Sequence, residues 1–444
     1  MSRVVIIGGG ISGLATAFFL QQLQPSASID IAEKEPRLGG TMHSVERNEF
    51  LFEAGSNGFL SNREDTLALV RLIGAEALLQ ESSESARKRF LYTDRLHRLP
   101  ENPAAFVRSE LLGWRDKLRV LGEVLVPANA AAGDESLQSF GYRRVGKAFT
   151  DTFLDALAAG IHASTPAKLS VSAAFPVVAQ LEREFGGLFK GMIKKRRRRA
   201  GPGGTLMSFH GGMSTLVERL RAVLTASVHL DTEITTLAPT TTGYRVQGTG
   251  VTLEASRVVL ATPAYVAAAL LRSVDATLAE ELSAIEYSPV AVVGFGFEAL
   301  PYPLDGFGLL TTTASRRNIL GVLWDSSIFA GRAPAGSQSV RVLIGGQRQP
   351  QLVARDDETL TAIALEGIRE TMGIEPQPVV SYVKRWERGI PHYALGHQAR
   401  LARIAEALRE HPHLYLNSNA YRGVGVNDCI VSSKRCAKEL IAAA

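Results

Sequence analysis

Cysteine is nearly absent: Cys429 and Cys436 are the only two in 444 residues. On one helix their spacing would set them about 10 Å apart at 1.5 Å per residue, beyond disulfide reach. So little cysteine suits a reducing compartment. Long apolar runs are missing as well. A bilayer-crossing helix needs about 18 consecutive apolar residues; the best candidate, Val258 to Leu271, is shorter and is broken by Thr262 and Pro263. Met1 to Ile7 is too short for a signal peptide and runs straight into a glycine loop that cleavage would destroy. These absences predict a cytoplasmic protein that does not span a membrane. The nine histidines show no metal-ligand spacing, so structural or surface roles are expected for them and no metal site. The compositional depletion that marks disorder is also lacking, since 45% of residues are hydrophobic and 21% charged. A length of 444 residues predicts two or three domains, enough to enclose a cofactor.

Net charge is only +5, and much of it is one run, KKRRRR, from Lys194 to Arg199. Like charges followed at once by Ala-Gly-Pro-Gly-Gly predict a solvated loop. Contact with an anionic lipid surface is the other use open to it. Nucleic acid is not expected, because neither interleaved aromatics nor a binding motif accompanies the run.

What the chain does have, from its first residues, is a strand, a glycine loop and a helix. Arg3 to Ile7 is continuously apolar and β-branched after its first residue, as in a strand covered on both faces of a parallel sheet. Gly8, Gly10 and Gly13 follow, then LATAFFLQQL in helical pattern. In a dinucleotide site the glycines allow a tight turn, close approach of a pyrophosphate, and helix-to-strand packing. The helix start then presents unpaired N–H groups to the anion. A second strand, Ser28 to Ala32, leads to Glu33, 20 residues beyond Gly13, where a carboxylate would accept from a ribose.

The next residues carry a resemblance. EKEPRLGG, from Glu33 to Gly40, resembles the EAxxRLGG segment of flavoprotein oxidases of the amine oxidase type, which makes FAD the expected cofactor. The resemblance assigns FAD contacts to Gly8, Gly9, Gly10, Ile11, Ser12 and Gly13, and to Glu33, Lys34, Arg37, Gly39, Gly40 and Thr41. FLFEAGSNGF resembles the superfamily loop that crosses near the flavin ring, with Glu53 in order and Gly55, Ser56, Asn57 and Gly58 as contacts. Ile234, in VHLDTEITTL, would meet the adenine, and Trp386 and Asn419 join the set. Val424, Gly425 and Val426 would lie against the isoalloxazine, with a helix starting near Asp428 aimed at the pyrimidine carbonyl. One departure stands out: Ser418 occupies a place usually held by glycine before the asparagine, and serine fits only where φ is below zero.

Two further stretches are more specific. GIHASTPAKLSVSAAFP and IPHYALGH, with FLYTDRLHRLP before them and AYRGVGVNDCI after, closely resemble the protoporphyrinogen oxidase family from Arg3 to about Leu440. The expected fold is α/β: a discontinuous Rossmann-type FAD-binding domain (1–62, 205–262, 408–444), a mixed-sheet substrate domain (63–94, 163–204, 263–407) and a helical subdomain (95–162) that would dock on a membrane. In that subdomain Val107, Leu111, Trp114, Leu118, Leu121 and Leu125 recur at spacings of four and three, an amphipathic helix or a pair broken at Gly113. Its apolar face either packs on the protein or rests in a lipid interface.

The resemblance implies FAD-dependent oxidation of protoporphyrinogen IX to protoporphyrin IX in heme biosynthesis, by successive hydride transfers to flavin N5, with oxygen or a quinone as final acceptor. No catalytic side chain is expected, since the cofactor does the chemistry. Matching motifs place Phe307 and Leu310 over the substrate ring, Leu343 beside it and Gly160 where backbone comes close, with Arg108 for a propionate. Core packing is the alternative for the first four, and a solvent-facing helix position for Arg108. Coproporphyrinogen III, with four propionates instead of two, is the rival substrate. A generic amine oxidase is disfavoured, lacking an evident lysine near N5 and aromatic walls. A flavin-free lipid or prenyl-protein carrier of the same fold is disfavoured by Glu33, Arg37-Leu38-Gly39-Gly40 and VGVNDCI together. A homodimer and peripheral attachment to the inner face of the cell membrane are left open.

Overall fold

The computed structural model describes residues 3–129, 133–198 and 204–442. Its first layer is a five-stranded parallel sheet in the order Ser227–His229, Ser28–Ala32, Arg3–Ile7, Arg257–Leu260, Leu414–Leu416. Arg3–Ile7 sits at the centre, which is why it is apolar on both sides. Val4 and Ile6 pack toward the helices Ile11–Leu23, Ser214–Val223 and Val426–Ala442. Val5 and Ile7 pack toward a three-stranded antiparallel sheet and the helices Ala264–Leu271 and Ala276–Ser283. The sheet thus draws strands from the beginning, middle and end of the chain. The helix Glu64–Leu72 joins the first core through Leu69 and Val70, so that layer extends past residue 62.

The second layer is a seven-stranded mixed sheet in the order Val380–Pro391, Tyr287–Phe297, Gln338–Gly345, Gly321–Leu323, Gly308–Thr311, Arg89–Tyr92, Leu96–Arg98. Gly308–Thr311 and Arg89–Tyr92 run parallel; the other neighbours are antiparallel. Alternation along each strand gives the sheet two distinct faces. Ala291, Val293, Val322, Leu309 and Val342 bury against the helix Asp357–Met372. Val290, Val292, Leu343 and Trp386 point the other way, into a separate apolar cluster.

Helices then run from Pro103–Arg108 to Leu188–Arg198, past residue 162. Their core is tied by Arg144, which is fully buried, ion-paired to the equally buried Glu123, and donates to Val126 O at 2.9 Å. Two expectations are corrected here. The basic run predicted as a loop continues the helix Leu188–Arg198, its apolar start packing on the subdomain core through Leu188 and Phe189; Arg199 lies outside the described residues. The amphipathic stretch does break at Gly113, into Pro103–Arg108 and Trp114–Leu121, but it does not pack on the protein by its leucine stripe. Trp114 is 67% exposed, Leu118 65% and Leu125 85%. Leu112 and Val120 are buried instead, and Lys117 turns inward to donate to Val107 O and Ser109 O. Two capped carbonyls and the contact with Val145 outweigh the stripe.

A buried histidine cluster joins these helices to the mixed sheet. The His162 ring lies 5.7 Å from Tyr393, on which His397 stacks at 4.3 Å, and His392 Nε2 is 2.9 Å from Ser164 Oγ. Burial pushes the pKa of His162 and His397 down from 6.5 to about 4. Such a group binds fewer protons folded than unfolded, so its stabilising contribution is complete above pH 6.5 and is lost as pH falls toward 4. The melting temperature should therefore drop across that window, and a His162→Phe/His397→Phe variant should show a flatter acid limb in a pH series of thermal melts. An equal slope in both proteins would remove these rings as the cause.

Candidate functional site

At the carboxyl end of Arg3–Ile7 the glycines form a cradle. Gly8 has φ +107°, and a Cβ there would meet Ala261 O at 2.8 Å. A Cβ on Gly13 would lie 2.0 Å from Gly8 O, so the helix is held against the strand too closely for any side chain. Gly10 differs: the nearest atom to its Cβ position is Gly40 Cα at 4.0 Å. Gly39 N–H donates to Gly9 O at 2.9 Å, bringing the second glycine pair over the first. The space between Gly10 and Gly40 is one a methyl group would enter, and the helix Ile11–Leu23 starts there with no side-chain cap. Its first-turn N–H groups are suited to an anion.

Glu33 is 7% exposed and accepts from Gly9 N–H at 2.7 Å and Glu35 N–H at 2.9 Å. A carboxylate has about four acceptor positions, which leaves capacity for a ribose. Arg37 donates to Gly40 O at 2.9 Å and so shapes the second turn. Lys34 is exposed, its ammonium 3.6 Å from Glu35, and Thr41 is exposed. Ile234 is buried at the start of Ile234–Thr240, shortly after Thr232, whose N–H donates to Glu33 O.

The segment from Glu53 to Gly58 passes close by, for a Cβ on Gly55 would stand 2.1 Å from Thr41 O. Glu53 is buried and accepts from Met213 N–H and Ser44 Oγ–H, both at 2.8 Å. Burial raises its pKa against the opposing pull of Arg332 and Arg341. Asn57 Oδ1 accepts from Arg341 at 2.8 Å, while its Nδ2 is buried without a partner, a donor free for a ligand. Ser56 and Gly58 are partly exposed beside it. Trp386 donates from Nε1 to Ala54 O at 2.7 Å.

The last segment is pinned from the mixed-sheet side. Tyr393 Oη donates to Asn419 O at 2.6 Å and accepts from Gly423 N–H at 2.8 Å. The helix of this segment begins at Val426, two residues before the expected Asp428, and Val424 and Gly425 lead into it. Ser418 is not among the residues with positive φ, so serine causes no backbone strain there. Asn417, which no motif singled out, donates to Thr16 Oγ1 at 2.7 Å and Ser433 Oγ at 2.9 Å, binding the first helix to the last. Only the spatial meeting of segments 401 positions apart reveals it.

Of the expected substrate residues, Gly160 and Leu310 meet: a Cβ on Gly160 would be 2.9 Å from Leu310 Cδ1. Leu310 pairs with Gly321 and Gly321 with Leu343, which puts both leucines on the face away from Asp357–Met372. Phe307 belongs to a neighbouring cluster with Leu323 and Phe329. Arg108 is not brought to this face. It ends an exposed helix turn that packs on Phe149 and Phe153 through Phe106, and among the described residues no hydrogen bond or ion pair anchors its guanidinium toward the floor. A cation that sequence motifs passed over stands nearer: Arg89, opposite Gly308 in the sheet, lies 5.2 Å over the Phe307 ring.

The cradle can be tested by contrast. Gly10→Ala should fold and melt normally but bind FAD about tenfold more weakly or worse, the loss of one or two hydrogen bonds to an anion. Gly13→Ala should fail to fold stably. FAD titration and thermal melts of both check this; wild-type affinity in Gly10→Ala would place the dinucleotide elsewhere.

Comparison with known proteins agrees with this geometry. Residues 11–441 match the family described as flavin containing amine oxidoreductase. The chain is 29% identical over 462 residues to coproporphyrinogen III oxidase of Bacillus subtilis (strain 168), covering 99% of this chain and 98% of that one. It is 30% identical over 475 residues to human protoporphyrinogen oxidase, again covering 99% and 98%. Among solved structures, "Putative protoporphyrinogen oxidase" from Exiguobacterium sp. 255-15 superposes with a TM-score of 0.87 at 27% identity, covering 99% of each chain. Reduced UDP-galactopyranose mutase shares the fold alone, with a TM-score of 0.77 at 16% identity, covering 100% of this chain and 94% of that one. The chain belongs to the family of flavin-containing amine oxidoreductases, as an oxidoreductase whose cofactor is FAD.

Proposed function

We propose that this protein oxidises a porphyrinogen to the corresponding porphyrin in heme biosynthesis. The observation that carries the reading is the near full-length likeness to oxidases of both porphyrinogens, together with the apolar cluster on the sheet face that carries Leu343. Leu343 and Leu310, both partly exposed, offer apolar surface for a macrocycle, with Val292 buried beneath Ala159 and Ala163 beside them. Gly160 lets the helix Asp155–His162 close over Leu310, narrowing the slot and excluding water. Arg89 has no carboxylate within ion-pair distance among the described residues, which fits it for a propionate.

FAD, when bound, supplies the two-electron acceptor. Loss of hydride from a methylene bridge leaves a cation delocalised onto pyrrole nitrogen, which then sheds its N–H proton, so the substrate stabilises its own charge and no protein base is required. Three two-electron steps account for the six hydrogens separating porphyrinogen from porphyrin: three hydrides and one proton leave the four methylene bridges, that proton passing to solvent in a final tautomerisation, two protons leave nitrogen, and oxygen or a quinone takes the electrons onward. Protoporphyrinogen IX is the substrate the sequence motifs favour, with coproporphyrinogen III the second. Anaerobic mixing of the FAD-loaded protein with each should bleach the flavin absorbance with at least one; bleaching by neither overturns the proposal.

A lipid surface is the partner we infer for the exposed stripe. Among the described residues no helix is long and apolar enough to cross a membrane. Trp114, Leu118 and Leu121 nonetheless face outward from one helix, with Arg115 beside them, the pattern of a face resting in an anionic interface. Attachment to the inner face of the cell membrane follows from that reading. Trp114→Glu should reduce co-sedimentation with vesicles containing anionic lipid; unchanged partitioning would exclude this face.

A further inference from the structure

On the mixed-sheet face that carries Leu310 and Leu343, Arg341, Arg89 and Lys384 are cations borne by its strands. Arg341 is spoken for, ion-paired to Asp325 and donating to Glu53 O at 2.6 Å. The other two are not neutralised. Arg89 stands toward one margin over Phe307. Lys384 stands at the opposite margin, on the edge strand Val380–Pro391.

The register settles which way Lys384 faces. It is paired with Val292, Val292 with Leu343, Leu343 with Gly321, and Gly321 with Leu310. Residues directly opposite one another across a sheet share a face. Its neighbour Val383 packs in the cluster on the other face, as alternation requires. Lys384 therefore lies in one row with the floor, two strand spacings or about 10 Å from Leu343. Arg89 and Lys384 are separated by five spacings, about 24 Å measured across the strands, and both side chains are long enough to reach inward.

The ammonium of Lys384 sits 4.6 Å over the Trp386 ring, and no carboxylate lies within ion-pair distance of it among the described residues. Trp386 in turn is fixed by its bond to Ala54 O. A half-buried cation held over an aromatic ring without a counter-ion is ready for an anionic ligand.

We propose that Lys384 is a specificity-determining residue that binds a substrate carboxylate at the end of the slot opposite Arg89. The proposal rests on the porphyrinogen reading above and sharpens it. A macrocycle with propionates along one edge can satisfy only one end, whereas a tetracarboxylate can engage both. The two-ended arrangement selects coproporphyrinogen III, the second of the two substrates above, over protoporphyrinogen IX, which the motifs alone favour.

The test uses FAD-loaded full-length protein and the stable products as probes, with binding followed by quenching of porphyrin fluorescence. Lys384→Met should weaken coproporphyrin III by about tenfold, the loss of one charge-assisted hydrogen bond, and protoporphyrin IX far less. Lys384→Arg should restore most of the loss, and the flavin absorption spectrum should be unchanged in both variants. Lys384→Gln serves as a second neutral variant if the methionine protein folds poorly. Equal weakening of both porphyrins, no weakening, or a loss of FAD affinity without loss of porphyrin binding would each overturn the assignment. If wild-type protein binds neither porphyrin, the porphyrinogen reading itself fails; if it binds both and Lys384→Met matches it, only the role of Lys384 does.

Discussion

The guanidinium of Arg341 is where the two halves of the molecule are held together. It rises from the middle of the mixed sheet, 1% exposed, and pairs with Asp325 while donating to Glu53 O and to Asn57 across the gap. Glu53 in turn accepts from Met213, in the middle cofactor segment. A buried charge of this kind is tolerated only because nearly every donor it carries is used. Because it joins the mixed sheet to the segment Glu53–Asn57, the distance between them is set by covalent geometry and two hydrogen bonds, while two more to Asp325 fix the guanidinium itself.

Trp386 and Tyr393 repeat the arrangement along one strand and its continuation. Trp386 reaches Ala54, and Tyr393 reaches Asn419 and Gly423. The edge strand Val380–Pro391 and the residues just after it therefore hold both of these segments at once, within the single stretch RWERGIPHYALGH. The residues in it that are not shared by simple packing logic are the ones that bridge layers.

How much of this is visible in the linear chain depends on how local the cause is. Gly8, Gly10 and Gly13 announce themselves because close approach of backbone to backbone leaves no alternative residue, and Glu33 follows at a distance set by one strand, helix and strand. The fold class follows from the same pattern. Arg89 and Lys384 escape, since their facing is decided by register across strands far apart in sequence, and Arg108, chosen by its motif neighbourhood, ends up on an exposed turn. Asn417 escapes for the same reason. The stripe on Trp114–Leu121 has the right period for a buried face and yet faces out, because periodicity reports that one side is apolar without reporting what covers it. The basic run reads as a loop from its like charges and the Ala-Gly-Pro-Gly-Gly that follows; helix continuation from Leu188 to Arg198 overrides that.

The central strand of the parallel sheet has a partner that arrives very late. Ser256, one residue before the strand beside it, bonds to Arg3 across 253 positions of chain. At ribosomal speeds of 5–20 residues per second, roughly 13 to 50 s separate the emergence of one from the other. During that interval one flank of the strand's backbone groups is unmatched, and Val5 and Ile7 lack the helices Ala264–Leu271 and Ala276–Ser283 that cover their face. The discontinuity that lets distant segments meet around one cofactor thus leaves this strand edge open to wrong pairing while the chain is being made.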